Sequence, residues 1–94
     1  MRVKWTRTAL LNLDKAIQYI AEDRPMAAKE VGQKIWDSVK MLANHPGLGR
    51  PGRVSGTREL VMSGLPFILP YIQKEGILYI LRVLHTSMKW PKNF

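Results

Sequence analysis

Two apolar stripes separated by a proline constrain this chain more than any other feature in it. Leu10, Leu13, Ile17 and Ile20 step by three, four and three residues, which puts them on one face of an α-helix with Asn12, Lys15, Gln18 and Glu22 mostly off it. Ala28, Val31, Ile35, Val39 and Leu42 step by three, four, four and three, and Lys29, Glu30, Lys34, Asp37 and Lys40 lie largely elsewhere. Pro25 stands between the stripes. It disfavours the helical conformation at Arg24, so the first helix should end near residues 21–23. It also suits the first position of the next helix, where a missing N–H costs nothing. A connection of only a few residues makes the helices antiparallel, as a hairpin. Thr6 or Thr8 can cap the first helix, and Pro46 and Gly47 stop the second. The small residues Ala28 and Gly32 allow another helix to approach closely. Two such stripes need a larger apolar partner than each other, and a sheet is the available one.

The rest of the chain supplies that sheet. Val3 and Trp5 alternate with Arg2 and Lys4, as in a short half-buried strand. Residues 45–56 hold four glycines and two prolines and read as turns. In residues 57–62, Leu60 and Met62 alternate with Glu59 and Val61. After a turn at 63–66, Phe67, Leu69 and Tyr71 share one face of the next strand, with Ile68 and Ile72 on the other. Pro70 has no N–H for a ladder, which predicts a bulge or an unpaired group there. Lys74, Glu75 and Gly76 form a hairpin turn. Residues 77–85 are apolar on both faces except for Arg82 and His85, as in one central strand. The tail from Lys89 is expected to fray beyond Pro91. The expected fold is α+β: a short N-terminal strand, then an antiparallel helical hairpin packed on one face of an antiparallel three- to four-stranded sheet. It forms a single domain over residues 1–94, with the other sheet face open to a partner.

Charge narrows the class of partner. Fifteen Lys and Arg against seven Asp and Glu leave a net charge of +8. Residues 1–44 carry eight basic and five acidic side chains, and residues 45–94 carry seven and two. An excess concentrated in the turn-rich half favours a polyanion or an acidic protein over a purely solubilising role. The chain has no cysteine, so disulfides and thiolate metal sites are excluded, which fits a reducing cytoplasm. The N-terminus has no long apolar run, so neither a signal peptide nor a membrane span is expected, and a cytoplasmic location is.

Few catalytic constellations are available. His45 and His85 are the only histidines, and neither has a metal-binding partner at helical spacing. No cofactor is expected. The stretch GLGRPG lacks the ending and the following helix of a phosphate-binding loop. Ser55, Ser63 and Ser87 have no evident base. What remains is a metal-free ribonuclease, which needs an acid, a base and cations for a phosphorane-like charge. His85 is the candidate acid or base, and Arg58, Arg82 and Lys89 are candidate phosphate ligands. The structural alternative is that His85 ends a strand and bonds a neighbour, while the arginines pair with Glu59 or face solvent. Trp5 and Trp36 read as packing residues. Trp90, between Lys89 and Lys92, reads as a contact residue.

The segments Ala9–Leu13 with Ile17, Tyr19 and Ile20, then Pro25, Ala27 and Ala28, then residues 45–50 (HPGLGR), 56–60 (GTREL), Tyr71 and 80–85 (ILRVLH) together resemble the RelE/ParE superfamily of toxins from type II toxin–antitoxin modules. The resemblance spans nearly the whole chain and leans to the ParE-like branch. It implies a cognate antitoxin, encoded alongside, that wraps the toxin in a hetero-oligomer. Its ParE-like members poison DNA gyrase, and its RelE-like members cut mRNA on the ribosome. The long helices, HPGLGRPG, RVLHTSM and a middle strand without arginine favour gyrase. The basic loop of Arg50, Arg53 and Arg58, the placing of His85 and Lys89, and the closing HTSMKWP favour mRNA cleavage, with Arg58, Arg82 and His85 catalytic. In either case Arg50, Arg53, Lys89 and Trp90 are the expected target contacts. A non-toxic nucleic-acid-binding module is a third reading.

Overall fold

Thr6 ends the first strand and starts the first helix. Its hydroxyl accepts from the Ala9 amide at 3.1 Å and donates to the Leu81 carbonyl at 3.0 Å, so one side chain caps the helix and ties it to the sheet. The computed structural model of the chain describes residues 1–87 and 89–94. Strand β1 is Arg2–Trp5, helix α1 is Arg7–Asp23 and helix α2 is Pro25–Asn44. Pro25 occupies the first turn of α2 as expected, and a single residue, Arg24, joins the helices. A Cβ added at Gly32 would meet Ile17 Cδ1 at 3.6 Å, an ordinary van der Waals contact, so α2 packs on α1 there without the approach depending on glycine.

The sheet follows as β2 (Arg50–Pro51), β3 (Arg58–Val61), β4 (Phe67–Lys74), β5 (Ile77–Ile80) and β6 (Leu84–His85). Its order is β1-β5-β4-β3-β2, with β6 paired to β4 beyond β5. It has more strands than the sequence suggests, and β1 runs parallel to β5, so the sheet is mixed. Glu75 and Gly76 both take positive φ in the tight β4–β5 turn.

The expected central strand over 77–85 is broken in two, and Pro70 explains where. Tyr71 faces Ile80 on β5, whereas Ile68 faces Leu84 on β6, so one extra residue lies opposite Leu69 and Pro70. The Pro70 carbonyl still accepts from the Leu81 amide at 2.9 Å, but Pro70 has no N–H to return. The chain bulges there, and alternation shifts by one. Leu78 and Ile80 bury into the core before the bulge, and Val83 does so after it. The amide of Val83 is freed from the ladder and is taken up by Asn12 Oδ1 of α1 at 3.2 Å.

The core lies between the helices and one sheet face. Ile35, Val39 and Leu42 of α2 and Ala9 of α1 meet Leu60, Phe67, Leu69, Tyr71, Leu78 and Ile80. Trp36, expected to pack, is 53% exposed and lines a shallow apolar groove between α2 and β1 with Val3, Trp5 and Val39.

Candidate functional site

Tyr71 organises the loop that carries Arg50 and Arg53. Its side chain is fully buried, and its hydroxyl donates to the Pro46 carbonyl at 2.7 Å and accepts from the Gly49 amide at 2.9 Å. Burial pushes the Tyr71 hydroxyl above its ordinary pKa of 10.0, against the opposing pull of the Gly49 N–H and the Arg58 charge. The neutral phenol is therefore favoured by folding. Its contribution is complete below the unfolded value and is lost as pH rises through the raised folded value. Tyr71→Phe strips both loop groups of their partner and is expected to cost about 2 kcal/mol. Paired melts should also show the wild-type advantage over Tyr71→Phe shrinking above pH 10, the ordinary tyrosine value.

Glu59 is the second fixed point. Its carboxylate is 1% exposed and accepts from Arg50 Nε at 3.0 Å and from the Arg53 amide at 2.9 Å. The loop closes on itself through the Gly52 amide, which donates to the Thr57 carbonyl at 2.8 Å. Arg53 then lays its guanidinium over the Trp90 ring, 4.1 Å from the centroid. Trp90 Nε1 is buried without a hydrogen-bond partner. Phe94 comes back to Arg82, whose guanidinium sits 5.4 Å from the ring centroid and also donates to the Leu81 carbonyl. Arg50, Arg53 and Trp90 thus form one cluster with Glu59, and exposed Lys89 lies beside Trp90 in the sequence.

Arg58, Arg82 and His85 do not converge. Arg58 donates to the Gly49 carbonyl at 2.7 Å and is paired with Tyr71 across the sheet. His85 is paired with Phe67, on the other side of β4. Four residues along β4 separate these positions by about 13 Å, with two strand spacings of about 5 Å across. The His85 ring packs edge-on to Phe67, and its Nδ1 lies 2.7 Å from Ser87 Oγ and accepts from the Ser87 amide at 3.1 Å. Arg82 is held by the tail. No acidic, histidine or cysteine cluster able to hold a metal exists among the described residues.

His85 borders a groove of about 450 Å³ between α1 and the sheet, with Ala16, Tyr19, Ile20, Phe67 and Val83 among its walls. Tyr19 is 76% exposed there. Helical periodicity marks Ile20 as apolar but carries no sign that the groove stays open. Sequence reasoning missed Tyr71 as an anchor; it offered Glu59 as an arginine partner, and the structure pairs Glu59 with Arg50 rather than with Arg58 or Arg82. One cue pointed to Glu59: it is one of only two acidic residues in the basic half of the chain.

The sequence matches the family described as ParE toxin of type II toxin-antitoxin system, parDE, over residues 3–90. It is 43% identical over 91 residues to a toxin candidate of Sinorhizobium fredii, Y4kP, covering 97% of this chain and 94% of that protein. It is 30% identical over 86 residues to Toxin RelE2 of Caulobacter vibrioides, covering 92% of this chain and 96% of the relative. Among solved structures, one described as the chromosomal ParDE TA system from P. aeruginosa superposes with a TM-score of 0.82 at 34% identity, covering 90% of this chain and 95% of that one. On sequence and fold together, the chain belongs to the ParE toxin family of type II toxin–antitoxin systems, within the RelE/ParE superfamily.

Proposed function

We propose that this toxin is neutralised by a cognate antitoxin and, when released, stops growth by poisoning DNA gyrase rather than by cutting RNA. The observation that carries the choice of target is the scatter of Arg58, Arg82 and His85. RNA cleavage by proton transfer needs its acid, base and cations within hydrogen-bond reach of one phosphate. Here each is committed to a different neighbour: the Gly49 carbonyl, the Phe94 ring and Ser87. A binding poison needs no such convergence. It needs a rigid basic surface that prefers one conformation of its target, here the state in which gyrase holds cut DNA. The loop fixed by Glu59 and Tyr71, with Arg50, Arg53, Lys89 and Trp90, supplies that surface. The net charge of +8 and the open apolar groove suit an acidic antitoxin segment that orders on binding.

The test is a supercoiling assay with purified gyrase, titrated with toxin freed of antitoxin. Inhibition with trapped cleaved DNA is the expected result. A folded, toxic protein that leaves gyrase untouched and cuts ribosome-bound mRNA would refute it. In cells, His85→Ala is expected to keep growth inhibition within about threefold of wild type, since His85 ends β6, packs its ring edge on Phe67 and bonds Ser87, and touches none of Arg50, Arg53 or Trp90. Trimming the chain after Ser87 removes Trp90 and Phe94 and should weaken inhibition far more.

A further inference from the structure

The two faces of the sheet differ in chemistry. Leu69, Tyr71, Leu78 and Ile80 turn to the helices, so alternation turns Ile72, Lys74, Ile77 and Tyr79 to the other face. On β1, Val3 and Trp5 pack on the core, so Arg2 and Lys4 join that outer face, and both are exposed. Register aligns these side chains in two rows across β1, β5 and β4. Lys4, Tyr79 and Ile72 stand side by side, and Arg2, Ile77 and Lys74 form the next row. Neighbours in a row are about 5 Å apart, and the rows are about 7 Å apart.

Tyr79 is therefore set among three cations, Arg2, Lys4 and Lys74, with Lys4 directly beside it. It is partly exposed and lines an open hollow of about 350 Å³ with Thr6, Ile72, Lys74, Glu75 and Leu81. Glu75 is the carboxylate of that hollow, so the patch stays net positive. The face remains basic toward its other end. Glu59 pairs with Pro70 and points the same way, since Leu60 is in the core, and it holds Arg50 and Arg53 there. A partly exposed ring on a flat sheet, surrounded by cations, suits a strand of nucleic acid. Bases stack on the ring and phosphates meet the Lys and Arg side chains. An acidic peptide would answer the charges but leave the ring without a stacking partner. A second copy of the chain would set like charges against each other.

We propose that this outer face binds a single strand of DNA, with Tyr79 stacked on a base and Arg2, Lys4 and Lys74 on phosphates. The proposal rests on the gyrase reading for its consequence: the toxin grips the cut DNA as well as the enzyme that holds it. A contact made to both at once favours the state in which they are joined.

The test is fluorescence anisotropy of a labelled single-stranded deoxyoligonucleotide titrated with antitoxin-free toxin, run beside the supercoiling assay. Binding is expected with a dissociation constant on the order of 10 μM. Its log–log dependence on salt should have a slope of about 2, from three neutralised phosphates at about 0.7 each. Lys4→Gln and Lys74→Gln, both at exposed positions, should each flatten that slope by about 0.7. Tyr79→Ala should weaken binding about tenfold, and Tyr79→Phe should bind as wild type. The lysine variants keep the test decisive if Tyr79→Ala perturbs the sheet. Wild-type affinity and slope in all three of Lys4→Gln, Lys74→Gln and Tyr79→Ala would overturn the proposal, as would tighter binding of the same sequence as RNA. Competition by polyglutamate that is equally strong against wild type and Tyr79→Ala would reassign the face to an acidic protein segment. A toxin that inhibits gyrase but does not bind the strand overturns this proposal and keeps the gyrase reading. One that binds the strand through these residues and leaves gyrase untouched overturns the gyrase reading and keeps the face as a DNA site.

Discussion

Gly49→Ala is expected to unfold the basic loop from its seat and to lower stability by about 3 kcal/mol. Gly49 is buried, and a Cβ there would sit 2.6 Å from both Tyr71 Cε1 and Tyr71 Oη and 2.8 Å from the Glu59 carbonyl oxygen. Neither neighbour can give way. The Tyr71 ring is fixed at its tip by Pro46 and Gly49, and the Glu59 carbonyl belongs to β3. Relief would require Gly49 to back away, which breaks the hydrogen bond its N–H donates to Tyr71 and withdraws the carbonyl that holds Arg58. For a domain of this size the loss corresponds to a fall in Tm on the order of 15 °C. Denaturant unfolding should show a lower midpoint at an unchanged slope, because the surface exposed on unfolding is the same. Gly47→Ala is the matched control, since a Cβ there meets nothing within 4 Å and should change stability by less than about 0.5 kcal/mol. Equal melts for the two variants would mean that the loop is not seated on Tyr71.

The helical hairpin was legible because its evidence is local. Stripes of period 3.6 broken by one proline admit few alternatives, and α1 and α2 end where Pro25 and Pro46 require. The sheet was legible in its strands but not in its joins. The bulge at residues 81–83 was foreshadowed by Pro70, yet the face it gives to Arg82, Val83 and His85 depends on a one-residue shift that alternation cannot register. Pairing of β1 with β5 joins residues more than seventy positions apart, and no local pattern encodes it. The candidate site was legible in part for the same reason. Arg50, Arg53 and Trp90 were visible as basic and aromatic residues in loops. Their assembly around Glu59, and the dispersal of Arg58, Arg82 and His85, are properties of register. A cluster of residue types in a sequence says which chemistry is possible, and only the pairing of strands decides whether those residues share a neighbour.

Glu59→Ala tests whether that assembly matters to activity as well as to folding. The carboxylate is 1% exposed, while its partner Arg50 is half-exposed, so the buried partner carries most of the constraint. Its removal leaves the Arg53 amide unbonded and the Arg50 guanidinium without its counter-charge, at an expected cost of about 3 kcal/mol. Glu59→Gln keeps the shape but can accept from only one of the two donors through its single carbonyl oxygen, so it should fall between Ala and wild type, near 1–2 kcal/mol by the same rule. The functional consequence follows from geometry. The hydrogen bond from the Arg53 N–H to Glu59 fixes the backbone from which the Arg53 side chain reaches over Trp90, and that stack ties the tail to the loop. Losing Glu59 therefore releases loop and tail together. Growth inhibition should be measured well below the melting temperature of each variant, where nearly all molecules are folded. If loop and tail grip the target as one surface, inhibition should drop about tenfold or more in Glu59→Ala even there, with Glu59→Gln partly rescued. Full toxicity in a destabilised but folded Glu59→Ala chain would separate the two roles, leaving Glu59 as a folding residue and moving the target contact elsewhere on the surface.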